Sequence, residues 1–174
     1  MTIDSADSHA NKVPRSWLAL VLFVIGCLLI GGIGGFINAS AIQGWYAGLR
    51  KPSWTPPNQI FGPVWSFLYV CIGLAGWLVW RRIPGKTRSR GLLVWWVQLL
   101  LNFLWTPFFF GLQSPAWGAV VIVALWASIG AFILQVRRIS PWAAILFGPY
   151  WIWVSYATAL NLAIWWMNRA EVAA

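Results

Sequence analysis

The sequence predicts an all-α membrane protein in which five transmembrane helices form a bundle and the first extramembrane loop has a defined structure. Two observations support this prediction. Hydrophobic residues make up 60% of the 174-residue chain and charged residues only 9%, whereas soluble domains have about 25% charged residues. The charges also avoid the apolar blocks, and the three carboxylates, Asp4, Asp7 and Glu171, lie near the ends. The apolar blocks are therefore expected to cross a bilayer.

Five apolar blocks are long enough for this, because a helix needs about 20 residues to span a hydrocarbon core of about 30 Å. The expected spans cover residues 17–41, 62–80, 91–113, 115–135 and 141–167. Residues 16–167 are therefore expected to form one five-helix domain. A disordered polar tail over residues 1–15 should precede it, and a short carboxyl-terminal tail over residues 168–174 should follow it.

The first block has an alternative interpretation as a cleaved signal peptide. Ala39, Ser40 and Ala41 resemble a small-residue cleavage site. The apolar run before them is longer than the core of about 7–15 residues that signal peptides have, and the next block needs a helical partner. A transmembrane helix is therefore the favoured interpretation.

The positive charge of the chain predicts its orientation. The formal net charge is +9, and nine of the 12 lysines and arginines fall on the side of the amino terminus if all five blocks cross the bilayer. Because cytoplasmic loops are enriched in these residues, we expect a cytoplasmic amino terminus, with the first loop and the carboxyl terminus opposite. Helical spans favour a bacterial inner membrane over an outer one. No nucleic-acid partner is expected, since no soluble basic face exists.

The connection between the first two blocks, residues 45–65, combines prolines, aromatic residues and cations. Its prolines are Pro52, Pro56, Pro57 and Pro63, and its aromatic residues are Trp45, Tyr46, Trp54, Phe61 and Trp65. Prolines fix φ and lack an amide donor, so no regular helix is expected here. The aromatic side chains cannot all face water at low cost. We interpret the loop as a cover over a cavity among the helices, with Arg50 and Lys51 as a cationic rim.

Tryptophan occurs 16 times, and many of these residues need no functional explanation. An interfacial aromatic belt accounts for those near predicted helix ends, which are Trp17, Trp80, Trp95, Trp117, Trp142 and Trp165. Trp65, Trp105 and Trp153 lie inside spans or face the first loop. A belt does not explain them, and they are candidates for a cavity wall.

Two helix faces carry polar residues inside apolar spans. The third span places on one face Gln98, Asn102, Trp105 and Phe109, and the fifth does so with Trp153, Ala157, Leu160 and Asn161. An unsatisfied amide in hydrocarbon costs several kcal/mol, so Asn102 and Asn161 should point inward. Their amides could form hydrogen bonds with water or a ligand. Alternatively, they could only bond to neighbouring helices, which stabilises the bundle by about 0.6 kcal/mol per contact. The sequence leaves both interpretations open.

The absent residue types exclude several kinds of chemistry. No Asp or Glu occurs between residues 8 and 170, and the one histidine is His9. Paired-carboxylate catalysis, a histidine metal site and a carboxylate proton relay through the membrane are therefore not expected. What remains is an aromatic, nearly uncharged pocket. Such a pocket suits a flat apolar ligand with peripheral negative charge.

Three motifs resemble the TspO/MBR family of tryptophan-rich sensory proteins, which includes the mitochondrial translocator protein. In the first loop these are Trp45-Tyr46 and Lys51-Pro52-Ser53-Trp54-Thr55-Pro56-Pro57, followed by Phe61, Pro63 and Trp65. The third span contributes Asn102-Phe103-Leu104-Trp105-Thr106-Pro107-Phe108-Phe109. The fifth contributes Pro149-Tyr150-Trp151-Ile152-Trp153 and Ala157-Thr158-Ala159-Leu160-Asn161. The resemblance covers about residues 15–167.

The resemblance implies a five-helix bundle, usually a homodimer, that binds porphyrins such as protoporphyrin IX without an obligatory cofactor or metal. It also implies isoquinoline or benzodiazepine ligands, and sterols in some members. Position by position, it implies a pocket lined by Tyr46, Trp54, Pro56, Trp65, Asn102, Trp105, Phe109, Trp153, Ala157 and Leu160. Two departures matter. Leu162 replaces a tyrosine of the animal cholesterol-recognition pattern, and Thr106 replaces an amide that some relatives carry.

These observations favour a tetrapyrrole-binding membrane receptor or transporter that acts in porphyrin homeostasis or stress signalling. The first alternative is light-dependent porphyrin breakdown, for which the resemblance implies Trp65 and Trp153 as redox partners. The second is a regulatory or packing partner without catalysis. The lack of a histidine ligand predicts a preference for metal-free porphyrin over haem, unless Tyr46, Tyr69 or a cysteine supplies an axial contact.

Overall fold

Helices and short connections make up the whole of the described chain, which in the computed structural model comprises residues 13–83 and 85–172. The helices are α1 Val13–Gln43, α2 Trp45–Gly48, α3 Asn58–Arg82, α4 Gly85–Thr106, α5 Pro115–Val136 and α6 Pro141–Val172. A π-helical turn, Pro107–Gly111, continues α4. All except the short α2 are long and apolar enough to cross a membrane. The predicted five-helix bundle is therefore confirmed, while residues 1–12 of the expected tail lie outside the described chain.

The five long helices form a ring. α1 packs on α3, α3 on α6, α6 on α5, and α5 on α4, while α4 makes a smaller contact with α1 that closes the ring. Small residues allow the closest approach, as is usual between membrane helices. A Cβ atom on Gly73 of α3 would lie only 2.7 Å from the Cα atom of Val24 in α1. Glycine at this position therefore sets the distance between these two helices.

The bundle is solid in one half, and this determines where a cavity can form. Buried side chains from α3 to α6 fill the half remote from the first loop, among them Ile72, Val79, Trp95, Ile129, Phe132 and Phe147. The expectation that Trp95 belongs to an interfacial belt is wrong. α4 begins at Gly85, six residues before the predicted start, so Trp95 lies well inside the helix and donates from Nε1 to the carbonyl of Ile72 at 2.9 Å.

The connection between α1 and α3, residues 44–57, is called the lid below, and it is tied to α6 at two points. The side chain of Asn168 accepts a hydrogen bond from the backbone amide of Arg50 and donates one to its carbonyl, both at 2.9 Å. The Tyr156 hydroxyl donates to the Trp54 carbonyl at 2.6 Å. The first loop therefore has a defined structure, as predicted.

Other predicted boundaries also differ from the structure. α1 begins at Val13, within the expected amino-terminal tail. α3 begins at Asn58 and contains Pro63, so the expectation that every loop proline excludes a helix is wrong at that position. Pro63 frees only the carbonyl of Gln59, which lies in the exposed first turn and can be solvated there. α6 continues to Val172, through most of the expected carboxyl-terminal tail, and Asn168 is buried against the lid.

Pro107 begins the π-helical turn. Pro107 cannot donate a backbone hydrogen bond, and the amide of Leu112 reaches back to the Pro107 carbonyl at 2.8 Å. This wider turn directs two consecutive side chains, Phe109 and Phe110, toward the lid. The ring centroids of Phe109 and Phe110 lie 6.2 Å and 5.7 Å from that of Tyr46.

Candidate ligand-binding cavity

The half of the bundle nearest the lid contains a cavity of about 490 Å³. All five long helices, α2 and the π-helical turn contribute lining residues. Its volume falls within the range of about 300–1,000 Å³ that is typical of small-molecule pockets. The cavity exists because the side chains of the lid half are aromatic and pack on one another around the space instead of across it.

Aromatic rings form much of the wall. The Trp105 and Phe109 rings are stacked, with centroids 5.1 Å apart and an interplanar angle of 24°. Trp65 lies 5.6 Å from Tyr69 at an angle of 33°, and Phe61 meets Trp153 edge-on at 5.7 Å. Such pairs add about 0.5–1.5 kcal/mol each beyond area burial. The rings hold one another in place and present a preformed aromatic surface to the cavity.

Asn102 and Asn161 line this cavity, but their hydrogen-bonding groups are used within the protein. Asn102 accepts from the Tyr69 hydroxyl at 2.6 Å and donates to the Tyr150 hydroxyl at 3.0 Å. Asn161 accepts from Trp105 Nε1 at 3.0 Å and donates to the Pro115 carbonyl at 2.8 Å. Both amides therefore join helices, and both also form part of the cavity wall.

A third amide enters the wall from α1. Asn38 is only 7% exposed, and its Nδ2 donates to the Thr106 hydroxyl across a long 3.4 Å distance. Its Oδ1 has no hydrogen-bond partner in the part of the chain described. Trp153 Nε1, from α6, is likewise buried and without a partner among the described residues. Both atoms are buried, so each is an unpaired group within the wall and not on the cavity surface.

The cavity wall carries no charge in the described part of the chain, since no Asp, Glu, Lys, Arg or His lines it. Tyr46 is the titratable lining residue that the lid supplies. Burial raises the pKa of its phenol above the usual value, and the Tyr156 phenol raises this pKa further. Tyr46 therefore stays neutral at physiological pH, and the cavity is suited to the uncharged part of a ligand.

The cavity opens sideways, between α1 and α3. Every exposed residue of its lining lies on one of these two helices, and these residues are Leu28, Gly32, Gly35, Asn58, Gly62 and Ser66. A Cβ atom on Gly32, Gly35 or Gly62 would meet nothing within 4 Å. We call this opening the α1–α3 seam. Because both helices cross the bilayer, the seam faces lipid.

The family model for "TspO/MBR family" matches residues 23–167, a range that includes every residue lining the cavity. The chain belongs to the TspO/MBR family.

Named TspO/MBR relatives match across most of their own length. "Tryptophan-rich protein TspO" of Archaeoglobus fulgidus is 42% identical over 151 residues, which cover 87% of this chain and 97% of that protein. "Protein CrtK" of Rhodobacter capsulatus is 36% identical over 162 residues, covering 88% and 97%. The human "Translocator protein" is 36% identical over 151 residues, covering 83% and 89%.

The structure brings together eight of the ten pocket positions that the TspO/MBR resemblance implies. Those that line the cavity are Tyr46, Trp65, Asn102, Trp105, Phe109, Trp153, Ala157 and Leu160. Trp54 and Pro56 lie outside the lining. Trp54 is 46% exposed, and its ring packs edge-on against that of Tyr156 with centroids 5.5 Å apart. Trp54 therefore helps to attach the lid to α6.

The two cations predicted as a rim are also engaged with the lid. Lys51 Nζ donates to the carbonyls of Tyr46, Ala47 and Leu49 at 2.7, 3.1 and 3.0 Å. Its charge thus stabilises the carboxyl-terminal end of α2. The backbone of Arg50 holds the Asn168 side chain, as described above, and its own side chain is exposed. Neither cation lines the cavity.

Asn38 was not among the residues predicted to line the cavity of this TspO/MBR chain, although its sequence signal was present. Leaving a side-chain amide without hydrogen bonds in an apolar span costs as much free energy in α1 as it does in α4 or α6. Asn38 also follows a stripe of small residues, Gly31 and Gly34, at helical spacing. The same rule that selected Asn102 and Asn161 would have selected Asn38.

Proposed function

We propose that this protein is an integral membrane receptor or transporter that binds a tetrapyrrole such as protoporphyrin IX, acting in porphyrin homeostasis or stress signalling. The observation that supports it best is the preformed, uncharged aromatic cavity that opens toward lipid through the α1–α3 seam. Membership of the TspO/MBR family supports the same class of function, and one relative carries the name "Translocator protein".

The chemistry of the wall matches a flat macrocycle. The indole and phenyl faces of Trp65, Trp105 and Phe109 can stack on an extended π system. The propionate groups of a porphyrin would be costly inside an uncharged cavity, because a buried ionised carboxylate needs a partner. They would therefore remain outside the cavity, and the cations that the lid offers them are Arg50 and Lys51. Isoquinoline, benzodiazepine and sterol ligands are smaller alternatives for the same cavity.

A binding titration tests the proposal. Protoporphyrin IX is added to the purified full chain in lipid nanodiscs, and both tryptophan quenching and porphyrin absorbance are recorded. The Trp65→Phe/Trp153→Phe double variant should bind about tenfold more weakly, because two indole contacts are reduced. The matched control is Trp142→Phe/Trp165→Phe, whose tryptophans are exposed and do not line the cavity. Saturable binding that both double variants leave unchanged would place the ligand elsewhere.

We also propose that the lid faces away from the cytoplasm of a bacterial inner membrane. The described cations support this orientation. Arg81, Arg82, Lys86, Arg88, Arg90, Arg137 and Arg138 lie at the helix ends opposite the lid, whereas Arg50, Lys51 and Arg169 lie at the lid end. By the positive-inside rule the first group is cytoplasmic. Accessibility of a tag at each terminus measures this, and a cytoplasmic carboxyl terminus would contradict it.

A second candidate function is light-dependent porphyrin breakdown. It is favoured by the position of Trp65 and Trp153, whose indoles both line the cavity and could exchange an electron with an excited ligand. The described lining offers no carboxylate or imidazole for acid–base catalysis, so the energy for the reaction would come from light. Dissolved dioxygen would be the oxidant. Product formation is compared in light and dark. Repeated turnover in light indicates an enzyme, and one product per cavity indicates a sensor or scavenger.

The remaining alternative is a regulatory or packing partner that binds no planar ligand. Thermal unfolding distinguishes it. A ligand that binds the folded protein at about 100 times its Kd stabilises it by about 2.7 kcal/mol, which raises the unfolding temperature. If no porphyrin, isoquinoline or benzodiazepine changes that temperature, the packing role is favoured.

A further inference from the structure

The end of the bundle opposite the lid carries a set of exposed basic side chains, which we call the basic patch. Its members are Arg81, Arg82, Lys86, Arg88, Arg90, Arg137 and Arg138. The only Asp or Glu among the described residues is Glu171, in the last turn of α6 at the lid end. The described chain therefore offers the basic patch no carboxylate partner.

Helix packing brings the basic segments of three helices together. A Cβ atom on Gly91 of α4 would lie 3.1 Å from Cγ1 of Val79 in α3 and 3.9 Å from Cγ1 of Val136 in α5. Each member of the basic patch lies within five positions of one of these three residues. The cations of α3, α4 and α5 therefore form one continuous surface.

The helix dipoles account for only part of the basic patch. Four members lie at the carboxyl-terminal ends of α3 and α5, where the negative end of a helix favours cations. Lys86 and Arg88 instead lie in the first turn of α4, where the positive end disfavours them and no acidic residue occurs. Arg90 follows Lys86 by four positions, so these two like charges are neighbours on one helix face and repel. An anion from outside the described chain would relieve this repulsion.

The basic patch lies at the depth of lipid headgroups. Cζ of Arg81 lies 5.1 Å from the centroid of the Trp77 ring, and Trp77 Nε1 donates to the Ser16 carbonyl at 3.0 Å. Tryptophan side chains prefer the interface between the hydrocarbon and the headgroups. The cations directly follow or precede spans that are long enough to cross the hydrocarbon. Lipid phosphates are therefore the anions nearest to them.

We propose that the basic patch binds the headgroups of anionic phospholipids, and that this binding offsets the repulsion at the start of α4. Basic residues next to a span are attracted to an anionic lipid surface, and each adds to the attraction. Phosphatidylglycerol is a suitable probe because its headgroup has a net negative charge. Phosphatidylcholine is the matched neutral lipid, since it carries the same phosphate together with a cation. The inference does not depend on the cavity or on its ligand.

The first test compares lipids. The full chain is reconstituted in nanodiscs of phosphatidylcholine alone and in nanodiscs of equal parts phosphatidylcholine and phosphatidylglycerol. The wild type should unfold at least about 2–4 °C higher in the mixture, the shift expected from one basic residue at an anionic surface. NaCl at about 1 M should remove most of this difference, because it screens exposed charges. Equal unfolding temperatures in the two lipids at low salt would overturn the proposal.

The second test removes the like-charge pair. Lys86→Gln/Arg90→Gln should unfold at a higher temperature than the wild type in phosphatidylcholine, because the repulsion is gone. The same variant should lose most of the gain that phosphatidylglycerol gives the wild type. The control Arg50→Gln/Arg169→Gln removes two charges at the lid end and should keep that gain. Equal loss in both double variants would mean that only net charge matters, which would overturn the proposal.

Two further measurements separate lipid binding from the other possible anion, the acidic residues of the amino-terminal tail. Native mass spectrometry of protein released from the mixed nanodiscs should show phosphatidylglycerol retained over phosphatidylcholine, and less of it on Lys86→Gln/Arg90→Gln. Asp4→Asn/Asp7→Asn should leave the effect of phosphatidylglycerol unchanged. If this variant instead lowers the unfolding temperature in phosphatidylcholine and phosphatidylglycerol has no effect on the wild type, the tail occupies the basic patch and the proposal fails.

Discussion

Single polar residues in this bundle divide into those whose hydrogen bonds join helices and those that keep a buried atom without a partner in the described part of the chain. Asn102 belongs to the first group, since it links α3, α4 and α6 through Tyr69 and Tyr150. Asn38 belongs to the second group, since its one bond is long. The same substitution at the two positions should therefore have opposite consequences for stability.

Asn102→Leu should lower the unfolding temperature of the ligand-free protein. It removes two buried hydrogen bonds and leaves two tyrosine hydroxyls without partners, a loss of about 1–3 kcal/mol. Asn38→Leu is the matched control, and it should leave the temperature unchanged or raise it. The measurement is thermal unfolding in detergent without ligand. Equal destabilisation by both variants would contradict the division.

Tyr46 should make the fold sensitive to alkaline pH. Its folded-state pKa is raised, chiefly by burial and further by Tyr156. The stabilisation from the neutral phenol is complete below the unfolded pKa of about 10 and is lost as pH rises through the higher folded pKa. The unfolding temperatures of wild type and Tyr46→Phe are compared from pH 7 to 11. Their difference should be constant below about pH 9, and above about pH 10 the unfolding temperature of the wild type should fall more steeply than that of the variant. A constant difference across the range would refute this.

At the scale of elements, the lid and α6 act as one unit. The Asn168 side chain bonds to both the backbone amide and the carbonyl of Arg50, and it also donates to the Ile164 carbonyl at 2.7 Å. These contacts lie in the segment that the sequence assigned to a tail. A polar residue after the last apolar block resembles a tail residue, and only the fold shows that the lid returns to meet it.

Asn168→Leu should loosen the lid. Loss of both bonds to Arg50 frees the centre of the loop, so amide hydrogen exchange over residues 49–57 should become faster and bound porphyrin should dissociate faster. Ser155→Ala, also on α6, is the control, because Ser155 bonds to Trp126 and to the Trp151 carbonyl away from the lid. Unchanged exchange in the Asn168 variant would show that the Tyr156–Trp54 contact alone holds the lid.

The number of helices and much of the cavity wall were predictable from sequence because they depend on local properties. Length and polarity define a span, and a 3.6-residue period places Asn102 and Trp105 on one face. The same period placed Gln98 there, but its side chain is buried in the solid half and donates to the Trp95 carbonyl at 2.8 Å. Partnerships such as Asn38 with Thr106 join residues that are 68 positions apart. Packing decides which residues that are distant in sequence come into contact, and a single sequence does not reveal that packing.

For the whole molecule, the α1–α3 seam determines how a ligand reaches the cavity. Substituting phenylalanine for both Gly32 and Gly35 should narrow the seam without disturbing the fold, because both positions face open space. Porphyrin should then associate and dissociate several times more slowly, which stopped-flow fluorescence measures. Gly26→Phe is the control, since it is also unobstructed on α1 but does not line the cavity. Equal rates in both variants would mean that ligands pass through the lid.

Because the seam opens toward lipid, the fraction of cavities that hold a ligand should depend on the ligand concentration within the bilayer. A ligand that enters through the seam comes from the hydrocarbon phase, where the concentration of a flat apolar compound is far higher than in water. Occupancy then follows the mole fraction of that compound among the lipids. Two membranes in the same buffer, differing only in how well they dissolve the guest, would therefore fill this protein to different degrees.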